Sequence, residues 1–336
     1  MKRALKILLA MALLLTLAAP TASAEKFEFK ISVDTVMNHP RNQGLVMFMD
    51  EIKKRSQGRL EPKLFHSAQL YKDKAAPKAL ALGTLEMAVP GVWYLSSYDV
   101  NADITALPMF FGQPPEITRG LVDGEWGKAV SETLGKKMRV KVLGRFYEIG
   151  YLETFMVTKP IKKLEDFKGT KIRYPGSPCL SLRINSLGAS SMAIPFADVP
   201  MALLQGTVDG LLTTFKTAEG VKLYESGVKY AVKDRGALLH YAPMVSLKFW
   251  DTLPSDLQKA MVESWDVTVD PQRKLAIQMQ KDAEVTMKKN GVQVYEPSAE
   301  ELAQWRNHMM PNQAPYVKKA KMDPELIKLA KEKLGM

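Results

Sequence analysis

The 336-residue chain is 46% apolar and 25% charged, an ordinary balance for a folded protein with room for two domains, and it excludes a disordered or low-complexity polypeptide. Its formal charge of +11 is scattered rather than gathered into a basic stripe with interleaved aromatics. That argues against nucleic-acid binding and for a solvated surface that favours anionic solutes. Cys179 is the only cysteine, so an intramolecular disulfide is excluded; with no histidine or basic motif beside it, it reads as a small buried residue rather than a reactive thiol.

The first 24 residues read as a secretory signal peptide: basic Lys2, Arg3 and Lys6, an apolar run from Ile7 to Leu17, and the small-residue site Ala22-Ser23-Ala24. Removing its three basic residues lowers the formal charge from +11 to +8. No later stretch reaches the roughly 18 apolar residues of a membrane-spanning helix. The mature chain is therefore expected to start near Glu25 and to work in the periplasm, not embedded in the membrane.

From Phe27 to Val33 apolar and polar residues alternate, predicting a strand. Asn38-His39-Pro40 turns the chain, and Leu45, Phe48, Met49 and Ile52 have helical spacing up to Gly58. Leu60–Leu64 reads as a strand, Asp73 as the cap of a helix ending at Gly83, and Leu85–Val89 as a third strand. This alternation predicts an α/β fold with a mostly parallel sheet, whose ligands bind beyond the carboxyl ends of the strands. Residues 120–138 read as helix interrupted at Asp123-Gly124, Val140–Phe146 as strand, and Tyr147–Gly150 as a crossing between lobes.

The stretch from Asp166 to Glu225 is the most informative. Lys171-Ile172-Arg173-Tyr174 reads as a strand stopped by Pro175, because the residue before proline is pushed to extended geometry. Arg173 then stands near a strand end. Ala193–Phe196 gives a second extended piece, Asp198 caps a helix running to Gly206, and Asp209-Gly210 turns the chain into Leu211-Leu212-Thr213. Further on, Ser255–Lys289 is one long helical pattern containing Pro271, where a kink or break is expected. Ser298–Glu301 is a capping box, and Asp323-Pro324 starts the last helix.

Three segments of this stretch, DFKGTKIRYP (166–175), Gly188-Ala189 through Phe196-Ala197-Asp198-Val199, and ALLQGTVDG (202–210), resemble the signature of the substrate-binding proteins of tripartite ATP-independent periplasmic (TRAP) transporters. Their order and spacing make the resemblance specific, and first-domain landmarks at Gln69-Leu70, Leu82–Met87 and Leu107–Phe111 extend it over nearly the whole mature chain. It implies a two-lobed fold with a long helix across both lobes. Lobe I is expected over 25–150 plus about 239–278, and lobe II over 151–238 plus about 279–336. It also implies a small organic carboxylate as ligand and the TRAP membrane permease subunits as partners.

Arg173 matches the family's carboxylate-binding arginine; its planar guanidinium can grip a carboxylate with two parallel bonds. The alternative from sequence alone is a structural salt bridge to Asp166 or Asp209. Phe196 matches a position beside the bound solute, against the alternative of an ordinary core aromatic. Thr213 stands where many members carry an asparagine that bonds the ligand. Trp93, just beyond the third strand, and Asp73 are the candidates from the first lobe. Glu153 replaces a second arginine found in several members. It either selects an amino-acid-like or apolar monocarboxylate over a dicarboxylate, or pairs with a lysine and faces water.

Enzyme motifs for phosphate loops, zinc peptidases and serine hydrolases are absent, and the four histidines are isolated in sequence. The reading is thus a non-enzymatic periplasmic binding protein that needs no cofactor or metal. A ligand-sensing module for a membrane receptor, a C4-dicarboxylate or sugar-acid binder, and a periplasmic enzyme are the alternatives.

Overall fold

The computed structural model describes residues 25–72 and 74–336; the expected signal peptide and Asp73 lie outside the described residues. In chain order the strands are β1 (Phe27–Ser32), β2 (Leu60–Phe65), β3 (Met87–Ala88), β4 (Val140–Val142), β5 (Tyr147–Met156), β6 (Lys171–Tyr174), β7 (Ser190–Ala193), β8 (Gly210–Thr213), β9 (Tyr230–Tyr241), β10 (Met244–Ser246) and β11 (Gln293–Tyr295). The helices used below are α1 (Pro40–Arg55), α2 (Pro115–Val122), α3 (Glu125–Met138), α4 (Pro178–Ser186), α5 (Val199–Leu204), α6 (Phe215–Gly220), α7 (Ser255–Lys289), α8 (Ala299–Met309) and α9 (Pro324–Lys333).

Two sheets form, one per lobe. The first has the order β2-β1-β3-β10-β4 and the second β11-β9-β5-β8-β6-β7. The two-lobed α/β architecture is the expected one, but the sheets are mixed. Pairing is parallel around β1 and β6, whereas β10 runs antiparallel to β3 and β4, and β5 antiparallel to β8 and β9. The cause is local. After β9 the chain passes through Ala242-Pro243 straight into β10, with no crossover helix to reverse its direction.

The local patterns place the walls of the cleft. In β1, Phe29 and Ile31 are buried while Glu28 and Lys30 face solvent. Helix α1 starts earlier than its apolar spacing suggests, because Pro40 occupies the first turn and His39 Nδ1 accepts the Arg41 N–H as a cap. Helix α7 runs unbroken through Pro271. The carbonyl deprived of its partner belongs to Val267, a residue 46% exposed, so solvent can satisfy it and the helix survives. The C-terminal helices, expected with the second lobe, touch both: α9 packs on α2 and α3 and α8 on α4, while in α8 Arg306 donates to Phe111 O at 2.8 Å and Trp305 meets Phe167 edge-on.

The lobes are joined by the β5–β9 pair and by α7. Where they leave the first lobe, Tyr147 and Trp265 stack with ring centroids 3.9 Å apart, and Trp265 Nε1 donates to Arg145 O at 2.8 Å. Tyr147 OH donates to Gly44 O at 3.0 Å. A Cβ on Gly44 would lie 2.4 Å from Gln272 Cγ and 2.8 Å from Tyr147, so only glycine lets α1 approach the crossing. Among the described residues, no helix is long and apolar enough to cross a membrane. Because Trp265 is fully buried at this junction, Trp265→Ala is expected to cost about 3–5 kcal/mol, read as a lowered midpoint in urea unfolding.

Candidate functional site

The parallel strands β6, β7 and β8 end together at one edge of the second sheet, and Arg173 sits there. Its register opposite Met192 and Leu211 brings its guanidinium under the last carbonyls of the neighbouring strands. Nε donates to Ile194 O at 2.8 Å and Nη1 to Leu212 O at 3.3 Å. The guanidinium carbon lies 5.8 Å from the centre of the Phe196 ring. The residue is 2% exposed, so the side chain has one orientation and a low-dielectric surrounding that strengthens its field.

Arg173, Phe196, Thr213 and Trp93 line one cavity of about 40 Å³ between the lobes. Thr213 ends β8, and Thr214 caps α6 with its Oγ1 accepting from Thr217 N at 3.2 Å. From the first lobe come Trp93 and Tyr94, whose rings lie 5.5 Å apart; Trp93 also meets Tyr241 edge-on at 5.1 Å. A Cβ at Gly91 would fall 2.2 Å from the Trp93 ring, so the glycine makes room for that indole. The crossing strands contribute Ile149, Leu152, Leu239 and Tyr241. Lys72 Nζ and Asp198 Oδ1 face each other across the lobes at 3.7 Å.

The sequence missed the acid of this cavity. Asp34 follows β1 and lines the cavity together with Thr35. Behind it, buried Arg41 donates to Asp34 Oδ1 at 2.6 Å, to Thr35 Oγ1 at 2.7 Å and to Val89 O at 3.1 Å, and lies 4.4 Å over the Tyr241 ring. Burial works against the Arg41 charge, but the Asp34 and Tyr241 oxygens outweigh it and its pKa is raised. The place of Asp34 just past a parallel strand was the available signal; nothing local marked Tyr241 or Arg41. Among the described residues, no group of three or more acids, histidines and cysteines could hold a metal ion.

A family model described as bacterial extracellular solute-binding protein, family 7, matches residues 32–319. The chain belongs to this family. It is 31% identical over 310 residues, 90% of each chain, to the C4-dicarboxylate-binding periplasmic protein DctP of Rhodobacter capsulatus. It is 26% identical over 255 residues, 74% of this chain and 76% of the relative, to the sialic acid-binding periplasmic protein SiaP of Vibrio cholerae. The crystal structure of a TRAP periplasmic solute binding protein from Desulfovibrio salexigens with bound orotic acid matches with a TM-score of 0.84 and 29% identity, over 92% of this chain and 99% of that one. The TRAP resemblance in the sequence motifs is thereby shown, and the family is one of solute binders rather than enzymes.

In this family 7 protein Glu153 does not reach the cleft. Register shifts interrupt the β5–β9 ladder between Glu148 and Gly150 and between Leu152 and Thr154. Ile149 and Leu152 turn toward the ligand cavity, whereas Tyr151 and Glu153 line a separate cavity of about 280 Å³. Glu153 is not paired with a lysine in water either: it is 5% exposed, and its Oε2 accepts the Arg235 N–H at 2.7 Å. Its carboxyl adjoins that of buried Asp234, which accepts the Thr154 hydroxyl at 2.6 Å. Burial first, and then the Asp234 charge, push the Glu153 pKa well above its ordinary 4.5; burial raises Asp234 too, against Thr154 and Arg183. Such a group binds protons more tightly folded than unfolded, so its contribution to stability is full below 4.5 and is lost as pH climbs toward the raised value. Glu153→Gln is therefore expected to raise the melting temperature at pH 7 and to flatten its decline between pH 5 and pH 8. Parallel melting curves for the two proteins over that range would contradict this account.

Proposed function

We propose that this TRAP substrate-binding protein is exported to the periplasm and closes on a small monocarboxylate with an apolar or flat body. It then passes the solute to a TRAP membrane permease. The lobes that close are residues 25–150 with about 239–278, and 151–238 with about 279–336, with C-terminal helices that touch both.

The observation that carries the reading is the buried, carbonyl-oriented Arg173 at the edge of a cavity walled by both lobes. A carboxylate entering there meets a planar cation already held in place by two carbonyls. The other walls are mainly apolar and aromatic: Trp93, Tyr94, Phe196 and Tyr241 with Leu152, Leu212 and Leu239. Such surroundings favour a body without many hydroxyls, since each buried hydroxyl left unbonded is costly. Orotic acid, the ligand of the Desulfovibrio salexigens neighbour, is a flat carboxylate of this kind. A second reading, a C4-dicarboxylate, draws support from the Rhodobacter capsulatus relative. Against it, Arg173 is the one cationic side chain among the described residues that line the cavity.

The test is isothermal titration of a carboxylate panel against wild type, Arg173→Ala and Arg173→Lys, with melting curves to check folding. Arg173→Ala is expected to lose about 2–5 kcal/mol of binding, and Arg173→Lys to recover only part, because a lysine is a point charge without the fork. Unchanged affinity in a folded Arg173→Ala protein contradicts the assigned role.

A further inference from the structure

Among the described residues, the cavity is lined by one negative side chain, from the first lobe, as well as a cation from the second. Asp34 lines it, and its carboxylate is fixed from behind. The Arg41 guanidinium that holds it is 2% exposed and spends its donors inside the first lobe, on Thr35 Oγ1, Asn42 Oδ1 and Val89 O as well as on Asp34 itself. Arg41 is not among the residues lining the cavity. An incoming solute therefore meets the carboxylate of this ion pair rather than its guanidinium. An ionised carboxylate only accepts hydrogen bonds.

We propose that Asp34 is a specificity-determining residue. It accepts a hydrogen bond from a hydroxyl, an ammonium or a ring N–H on the solute, and it turns away a second carboxylate. This rests on the reading that Arg173 holds the solute's first carboxylate. The physical asymmetry is simple. A donor supplies the proton that an acceptor-only group needs, whereas a second carboxylate faces Asp34 with no proton between them and like charge on both sides. The Arg41 partner holds the Asp34 carboxylate in place at 2.6 Å. The cleft thus suits a molecule with its anion at one end and a donor at the other, across a short apolar body.

A four-carbon series separates the possibilities: butyrate, 4-hydroxybutyrate, 4-aminobutyrate and succinate share one carboxylate and differ at the far end. Titrated against the wild-type protein, the hydroxyl and amino compounds are expected to bind at least about tenfold more tightly than succinate, the scale of one like-charge contact. In Asp34→Asn that ratio should collapse toward one, with succinate gaining. Asp34→Glu, which keeps the charge, should retain the preference and controls for damage to the Arg41 pocket; melting curves report folding of both. Wild type that binds succinate best, or none of the four, overturns the proposal, as does an unchanged ratio in folded Asp34→Asn. Arg173→Lys run in parallel separates the two ideas. Uniform weakening of all four compounds supports the arginine clamp whatever the Asp34 result, and unaltered binding of all four removes the clamp while the wild-type ratio still reports on Asp34.

Discussion

The cleft depends on one buried guanidinium and the two carbonyls that aim it. Taking an arginine out of water costs several kcal/mol even after relaxation, about what a buried ion is known to require. A bond from a charged donor returns about 1.5–3 kcal/mol. The carbonyls of Ile194 and Leu212 offset part of the cost and fix the geometry. They can do so because β6, β7 and β8 run parallel and finish at the same edge. Parallel topology gathers strand ends, and gathered strand ends hold a cation facing the gap between lobes. An anion entering that gap brings the charge that desolvation of the arginine favours most.

The same β5 strand that contributes Ile149 and Leu152 to the cavity also carries Glu153, whose carboxyl meets that of Asp234 on neighbouring β9. The bulges decide which residues go where. Leu152 turns in toward the inter-lobe cavity, and Glu153 turns out toward Asp234 and Arg235. Two carboxyls in contact, with Arg183 the nearest compensating charge on Asp234, hold protons that solvated acids would release. This proton store sits in the strands that connect the lobes, so its charge bears on the crossing rather than on the ligand.

What the sequence revealed follows from how local its signals are. Arg173, Phe196 and Thr213 lie within one motif-bearing stretch whose strand ends are marked by Pro175 and Asp209-Gly210, and all three line the cavity. Trp93 was found because it follows a strand. Glu153 was misplaced because alternation along a strand holds only while the ladder is regular, and nothing in ETFMV (153–157) announces a bulge. Asp34 stood in plain view at the end of β1, but it becomes a cavity acid only through Arg41, seven residues on, and through Tyr241, two hundred residues away. The parallel character of the sheets was overestimated for a related reason. Direction is set by how the chain enters a sheet, and the short Ala242-Pro243 link carries β9 on into β10 without reversing it.

The size of the cavity adds the last step. At about 40 Å³ it exceeds the roughly 10–15 Å³ that a single water needs, so the lobes as they stand leave room for water between them. Across the lobes, the contact between exposed Lys72 and Asp198 is of the surface kind that contributes about 0–1 kcal/mol, whereas Cys179 N–H donates to buried Asp103 at 2.9 Å. A solute shifts the balance back to the closed form only by binding that form more tightly than the open one. On the proposed reading, Arg173 and Asp34, on opposite lobes, meet a single small molecule only when the lobes approach. Selectivity would then be exercised in the closing step itself: a molecule that satisfies only one of the two charges gains little from closure.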